Sequence, residues 1–167
     1  MLLLQHAMSY PVQAGPVAQL VEHWTFNPGV QGSNPCGIAF LFILNELISM
    51  VVLKKLKEVI ETNTLSFSTV DKSNAPHTIY VLYAKVIDNN KILITDNYMK
   101  KTKENILFNN KISLTILIGG AGFELKGTAE YFSEGEMLNK IKSIPENKED
   151  PCKGAVVISV ETVVKMG

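Results

Sequence analysis

Short stretches in which apolar and polar residues alternate are the feature that most restricts the fold of this chain. In residues 112–118 and 123–131 every second residue is apolar or glycine, and the glycine-rich segment 119–122 separates the two stretches. A period of two places the apolar side chains on one face of a strand, and the glycines favour a turn. The pattern therefore predicts neighbouring strands that each bury one face.

Further strands are predicted at residues 65–69, about 78–87, 91–95 and 155–164. The sequence IDNN, residues 87–90, predicts a tight turn between the second and third strands of the chain. The predicted strands are joined mostly by short hairpin turns, which connect antiparallel strands, whereas a parallel sheet would need crossover helices between them. Six strands with inserted helices therefore predict a β-rich α+β fold, a small closed or partly closed barrel, rather than a doubly wound sheet.

Three helices are predicted around these strands. Val52, Leu56, Val59 and Ile60 recur at helical spacing, which predicts an amphipathic helix that packs on the core. A second, lysine-rich helix is expected from about residue 100 to 108. Ser133 and Glu136 have the spacing of a capping box for a third, short helix that ends near residue 143.

The start of the second predicted helix carries an unusual charge. Lys100, Lys101 and Lys103 lie where the peptide dipoles already leave a partial positive charge, a position that favours acidic residues. A bound anion would remove the conflict, because free backbone N–H groups, a hydroxyl and ammonium groups together form a phosphate site. A solvated basic turn, partly neutralised by Asp96 and Glu104, is the alternative that these residues alone leave open.

Composition and motif searches disfavour several function classes. The chain has 167 residues, enough for one ordinary core, and a formal charge of zero, whereas a nucleic-acid-binding protein is expected to be basic. After residue 50 the sequence has one histidine, His77, and one cysteine, Cys152, with no neighbouring catalytic or metal-ligand motif. The glycines of GGAGFELKG miss the dinucleotide spacing, and no Walker motif is present. The unpaired cysteines favour a cytoplasmic location.

The first 49 residues differ from the rest, since all sixteen lysines lie after residue 50. Residues 15–36 resemble a transfer RNA gene translated in frame, because their codons permit a D-arm, a lysine anticodon and a T-arm loop in that order. We therefore expect residues 1–49 to be a spurious or disordered extension and the domain to span residues 50–167. The apolar run 38–52 is too short for a typical membrane helix.

Five segments between about residue 52 and 166 form a recognisable series: TLSFSTVD, AKVIDNNKILITDNYMKKTKENI, ISLTILI, GFELKGTAEYFSEGEM and KGAVVISVETV. In these segments, in this order, the chain resembles the short FMN-binding split-barrel proteins of the pyridoxamine 5'-phosphate oxidase-like family. The most specific piece is DNYMKKT-x-EN, followed at a distance typical of that family by F-x-L-K-G-x-A-x-Y. The resemblance implies a six-stranded split barrel.

The resemblance also implies a cofactor site. Lys101 and Thr102 would hold the FMN phosphate, with Lys100 as a helper. The family forms its flavin sites at a homodimer interface, so the turn from Gly120 to Phe123 would approach the flavin of the other subunit. The residues implied to line the ribityl chain and ring, or to approach them from the partner, are Tyr80, Val81, Leu82, Tyr83, Thr95, Asp96, Asn97, Gly122 and Phe123.

The function implied is that of an FMN-dependent oxidoreductase with an unassigned substrate, acting on a small-molecule electron donor or acceptor. Oxidation of pyridoxamine phosphate itself is disfavoured, because the chain has no C-terminal arginine motif for the substrate phosphate. Alternatives are a non-catalytic FMN carrier or sensor, or a related split barrel that binds haem or a deazaflavin, with His77 as a candidate axial ligand for haem. Nucleic acid, metal ions and membrane are not expected partners.

Overall fold

The computed structural model describes residues 51–118 and 120–166. The predictions for residues 1–49 and for a domain that starts at residue 50 concern positions outside this range. Residues 51–62 are helical and are named α1. The other helices are α2 (Lys100–Phe108), α3 (Glu136–Lys142) and a 3₁₀ turn (Pro145–Asn147). None of the described helices is long and apolar enough to cross a membrane.

The described residues form one antiparallel sheet of seven strands, in which every pairing that joins neighbours is antiparallel. The order across the sheet is β2-β1-β5-β6-β7-β4-β3. The strands are β1 (Leu65–Val70), β2 (Pro76–Val81), β3 (Ala84–Asp88), β4 (Lys91–Asp96), β5 (Lys111–Ile118), β6 (Ala121–Phe132) and β7 (Gly154–Met166).

The predicted strand at residues 78–87 is wrong in one respect, because it is two strands, β2 and β3. These strands lie at opposite edges of the sheet, yet only Leu82 and Tyr83 separate them along the chain. The composition hides the break, since residues 79–84 are all apolar or aromatic. The burial reveals it, because Val81 and Ala84 are both buried although side chains three residues apart lie on opposite faces of a single strand. A link this short requires the two edges to meet, so the sheet curls into a split barrel, as predicted, with seven strands instead of six.

The core lies inside the curl. Side chains from all seven strands belong to one buried cluster, with Phe67 of β1, Phe123 of β6 and Ile94 of β4 each no more than 2% exposed. Leu53, Leu56 and Ile60 of α1 are fully buried in the same cluster. The amphipathic pattern therefore has the packing role that the sequence predicts, and truncating Leu56 to alanine is expected to cost about 2–5 kcal/mol of stability.

A second, smaller core lies outside the barrel and covers the other face of β4. It contains Leu93, Ile141 of α3, and Ala155 of β7. The predicted capping box is wrong, because α3 begins after Gly135, whose φ of 84° suits glycine, and no side chain caps the helix. Because this outer layer packs on one face of β4 and the barrel core on the other, the residues of β4 from Ile92 to Asp96 are all buried.

Candidate functional site

A cavity of about 560 Å³ opens between β2, the Leu82–Tyr83 link, the end of β4 and the first turn of α2. This volume is in the range of small-molecule and cofactor pockets. Nine of the predicted cofactor-binding residues line the cavity: Tyr80, Val81, Leu82, Tyr83, Thr95, Asn97, Lys100, Lys101 and Thr102.

The turn from β4 into α2 fixes one wall of the cavity. Asp96 ends β4, and its Oδ1 accepts a hydrogen bond of 2.7 Å from the backbone N–H of Met99. Helix α2 is held against the barrel by Ile106, which is 4% exposed in the core, and by Asn105. Asn105 Nδ2 donates a hydrogen bond of 3.0 Å to Thr69 Oγ1 on β1. Asp96 therefore fixes the start of α2, and Asn105 and Ile106 hold its second turn against the barrel.

Three predicted site residues do not line the cavity. Asp96 is 3% exposed, and its two carboxylate oxygens accept hydrogen bonds from Met99 N and Tyr131 Oη. This carboxylate thus has a structural role in the described chain. Gly122 and Phe123 lie in β6, where Phe123 is 2% exposed in the core. Their predicted approach to a flavin concerns a partner subunit and stays a prediction.

The cationic end of the cavity contains Lys100, Lys101 and Thr102, all in the first turn of α2. No acidic residue lies in the first turn of this fully described helix, and no side chain caps it. Thr102 is 1% exposed, and its Oγ1 has no hydrogen-bond partner among the described residues. A buried hydroxyl without a partner is costly, so its position beside two lysines indicates a site for an external hydrogen-bonding group.

Lys101 forms an ion pair with Asp71 at the end of β1, with Nζ and Oδ2 3.2 Å apart. The other carboxylate oxygen, Asp71 Oδ1, accepts hydrogen bonds from Ser73 Oγ, from the backbone N–H of Ser73 and from that of Ala75. These hydrogen bonds, together with Lys101, hold the pKa of Asp71 well below its usual range. The carboxylate therefore fixes the β1–β2 turn and contacts a lysine of the cavity at the same time.

The third lysine of the predicted cluster lies elsewhere. Lys103 Nζ is 4.4 Å from the centroid of the Tyr131 ring, in a cation–π contact outside the cavity lining. The charge run in the sequence therefore has two structural roles: Lys100 and Lys101 face the cavity, and Lys103 packs on β6. Of the two explanations that the sequence left open, neither describes all three lysines.

Thr95 and Asn97 are held from behind the cavity wall. Thr95 Oγ1 accepts a hydrogen bond of 2.7 Å from Asn147 Nδ2 in the 3₁₀ turn. Asn97 Oδ1 accepts one of 3.1 Å from the backbone N–H of Cys152. Burial raises the pKa of the Cys152 thiol. The segment between α3 and β7 therefore positions two polar groups of the site.

Aromatic and aliphatic side chains form the rest of the cavity and its rim. Tyr80 and Tyr98 are 78% exposed and Leu82 is 62% exposed. Sequence reasoning did not assign to the site four residues that line it: Ile79, Tyr98, Met99 and Asp150. It named His77, which also lines the cavity, only as a candidate ligand for haem. His77 lies in β2, which begins at Pro76, two residues before the predicted strand. Tyr98 and Met99 are part of the quoted DNYMKKT motif and could have been included, whereas Asp150 belongs to a polar loop without any signal.

The cavity combines a cationic end with apolar and aromatic walls, which suits a ligand that has an anionic group and a flat apolar part. No group of three or more His, Cys, Asp or Glu residues in the described ranges is arranged to hold a metal ion. The donors at the cationic end are lysine and threonine. These residues fit a phosphate group, since each supplies hydrogen-bond donors to anionic oxygens.

The fold and the cavity define a split-barrel protein with a cationic ligand pocket beside the link between its sheet edges. The family model for pyridoxamine 5'-phosphate oxidase matches residues 52–167. The chain therefore belongs to the pyridoxamine 5'-phosphate oxidase family, as the sequence resemblance predicts.

Individual proteins are similar to this chain in sequence or in fold. An uncharacterised protein of Methanocaldococcus jannaschii is 34% identical over 112 residues, which are 64% of this chain and 75% of that protein. The crystal structure of HupZ from Group A Streptococcus has a TM-score of 0.62 at 23% identity, covering 68% of this chain and 92% of that chain. An FMN-binding protein from Syntrophomonas wolfei has a TM-score of 0.60 at 16% identity, covering 79% and 95%. At these identities the two crystal structures bear on the fold alone.

Proposed function

We propose that this chain is a flavoprotein that binds FMN in the cavity and acts as an FMN-dependent oxidoreductase of unassigned substrate. The observation that carries the proposal is the buried Thr102 hydroxyl, which has no partner among the described residues and lies in the same helical turn as Lys100 and Lys101. Family membership and the FMN-binding protein from Syntrophomonas wolfei support the choice of FMN.

The first turn of α2 would hold the phosphate. Its oxygens can accept hydrogen bonds from Thr102 Oγ1 and from the ammonium groups of Lys100 and Lys101, and the helix dipole adds a favourable field. Lysines give point charges rather than the two-pronged contact of arginine. The chain contains no arginine, so the FMN affinity is expected to be modest for this type of site.

The remaining cavity would hold the ribityl chain and the ring. Tyr80, Leu82 and Tyr83 supply apolar and aromatic surface, and Thr95 and Asn97 supply polar groups. When bound, FMN would supply the hydride or electron-transfer chemistry. The side chains of the cavity orient the ring and exclude water from it.

The proposal includes a homodimer with the cavity at the subunit interface. The rim exposes Tyr80, Leu82 and Tyr98, and a second copy that covers these side chains would remove apolar surface from water. Light scattering after gel filtration is expected to give twice the monomer mass. A monomer that binds FMN would contradict the interface and leave the cofactor assignment intact. A cytoplasmic location remains part of the proposal.

The central experiment is a titration of purified protein with FMN, followed by flavin fluorescence and absorbance. We expect saturation at one FMN per chain and a yellow complex. Failure of the protein to bind added FMN would contradict the proposal. If FMN binds, reduction by NADH or NADPH and turnover with a panel of electron acceptors test the oxidoreductase part, and reduction without acceptor turnover would favour a carrier.

One observation favours a second candidate. His77 is half-buried and lines the cavity, so it lies where an imidazole could ligate the iron of a haem. The absorption spectrum after addition of haem separates the candidates, because a histidine-ligated haem gives an intense Soret band. A Soret band that disappears in His77→Ala, in a protein that binds no FMN, would favour haem.

A further inference from the structure

Behind the cavity wall, a buried amide reaches one of the polar groups that line the cavity. Asn147 is 2% exposed, lies in the 3₁₀ turn and does not line the cavity. Its Nδ2 donates hydrogen bonds of 2.7 Å to Thr95 Oγ1 and 3.1 Å to the carbonyl oxygen of Ile141. Both protons of the amide are thereby used, one toward α3 and one toward β4.

The orientation of this amide is determined by its contact with Ile141. A carbonyl oxygen can only accept, so the NH₂ group of Asn147 must face it. The same NH₂ group therefore faces Thr95, while Asn147 Oδ1 has no hydrogen-bond partner among the described residues. In an amide turned the other way, Oδ1 would face the carbonyl oxygen of Ile141, and two acceptors cannot form a hydrogen bond.

This orientation decides what the Thr95 hydroxyl can do. A hydroxyl carries one proton, and an NH₂ group cannot accept it, so Thr95 must accept from Asn147. Among the described residues, no hydrogen-bond acceptor is found for the Thr95 hydroxyl proton. Thr95 is 8% exposed and lines the cavity, so a ligand in the cavity can provide the missing acceptor.

We propose that Asn147 is a positioning residue that orients the Thr95 hydroxyl as a hydrogen-bond donor to the bound ligand. The inference rests on the proposed function and deepens it: the ligand must present an acceptor to this wall, such as a carbonyl oxygen or an unprotonated ring nitrogen of FMN. A ligand that offers only an N–H group at this position is disfavoured, since two donors would face each other. Asn147 itself touches no ligand.

A double-mutant cycle tests the coupling. Asn147→Asp replaces the NH₂ group by an acceptor, so the Thr95 proton turns away from the cavity. Thr95→Val removes the hydroxyl with little change in shape, and Thr95→Ser keeps it. We expect Asn147→Asp and Thr95→Val each to raise the Kd for FMN about five- to tenfold and to shift its absorption maxima similarly, with Thr95→Ser near wild type. In the Thr95→Val background, Asn147→Asp is expected to change neither property further.

A second measurement leaves Asn147 intact and so avoids loss of folding. In ¹⁵N-labelled wild type, FMN is expected to move the side-chain amide resonance of Asn147 downfield, because an acceptor on the Thr95 proton strengthens the bond that Thr95 accepts. In Thr95→Val the resonance is expected to stay in place. A wild type that binds no FMN would overturn both this inference and the proposed function. Wild-type binding with additive mutant effects, or with no resonance shift, would overturn this inference alone.

Discussion

The hydroxyl of Tyr131 donates a hydrogen bond of 2.8 Å to Asp96 Oδ2, which ties the long strand β6 to the end of β4. Asp96 Oδ1 accepts from Met99 N, so one buried carboxylate joins β6, β4 and the turn into α2. The helix that carries Lys100, Lys101 and Thr102 therefore depends on this carboxylate for its starting position. Asp96 serves the site from outside the cavity.

The Tyr131–Asp96 bond predicts a specific response to alkaline pH. Burial, with the hydrogen bond and charge of Asp96, raises the pKa of Tyr131 from 10.0 to about 12. A raised pKa means that the stabilising phenol is fully present below pH 10.0 and is lost as the pH rises toward about 12. We expect Tyr131→Phe to be less stable than wild type at neutral pH, by about 1–2 kcal/mol for a partly exposed bond to a charged group.

The difference between wild type and Tyr131→Phe should shrink between pH 10 and 11.5, since only the wild type contains this shifted group. Urea unfolding at pH 8, 10 and 11.5 measures it, and the other tyrosines cancel in the comparison. A difference that is constant over this pH range would show that the Tyr131 hydroxyl contributes nothing through its ionisation.

Lys101→Ala is predicted to weaken FMN binding by about 1.5–3 kcal/mol if the lysine makes a charge-assisted hydrogen bond to the phosphate. Isothermal titration with FMN measures the change. Lys103→Ala is the matched control, because Lys103 is in the same helix turn but contacts the Tyr131 ring outside the cavity. Equal losses in both variants would indicate a general charge effect and contradict the assigned role of Lys101.

Thr102→Val is predicted to weaken FMN binding without destabilising the free protein. The substitution replaces a buried hydroxyl that has no partner among the described residues by a methyl group of similar size. In the free protein we expect the free energy of unfolding to stay constant or to rise by up to about 1 kcal/mol, since an unsatisfied polar group is removed. The affinity for FMN is expected to fall about tenfold.

Chemical denaturation without FMN and titration with FMN measure the two effects of Thr102→Val separately. A variant that loses stability in the free protein would show that the Thr102 hydroxyl already has a partner there. A variant with unchanged affinity would remove Thr102 from the phosphate site.

Asp71→Asn is predicted to tighten FMN binding several-fold at low ionic strength. The amide oxygen can still accept from the backbone N–H groups of Ser73 and Ala75, so the turn is retained. The negative charge beside Lys101 disappears, which removes both a competitor for the ammonium group and a repulsion of the phosphate. The gain should decline at 0.5 M salt, because exposed charges are screened.

The control for Asp71→Asn is Asp88→Asn, which removes one negative charge from another hairpin, where Asp88 Oδ1 accepts from the backbone N–H of Asn89. We expect this control to leave the affinity unchanged. Weaker FMN binding by Asp71→Asn would instead mean that the ion pair holds Lys101 in its binding position.

The strands of the barrel could be predicted because each buries one face and so carries a local period of two. The break between β2 and β3 could not, because the buried residues Val81 and Ala84 continue the apolar composition through a link without glycine or proline. The pairing of strands that are distant in the sequence decides which strands form the edges of the sheet, and such pairing leaves no local pattern in the sequence. The strand count therefore rises from six to seven, while the fold class is confirmed.

The cavity shows the same limit. Lys100, Lys101 and Thr102 are adjacent in the sequence, so their charge and the helix start are visible together. Asn147 and Asp150 lie between the third predicted helix and the predicted strand at residues 155–164, in a segment to which the sequence assigns no role. Asn147 contacts Thr95, and Asp150 lines the cavity. Both do so because α3 and the second core place this segment against β4.

The two-residue link between β2 and β3 acts as a covalent limit on how far the barrel can open. Three consecutive Cα–Cα steps join Val81 to Ala84 and span at most about 11 Å, so the seam cannot widen beyond that distance at this end. A circular permutant with new termini between Leu82 and Tyr83 would lose this limit. The edge strands β2 and β3, whose outer edges pair with no other strand among the described residues, could then move apart. Such a protein should self-associate through the backbone N–H and C=O groups of these edges.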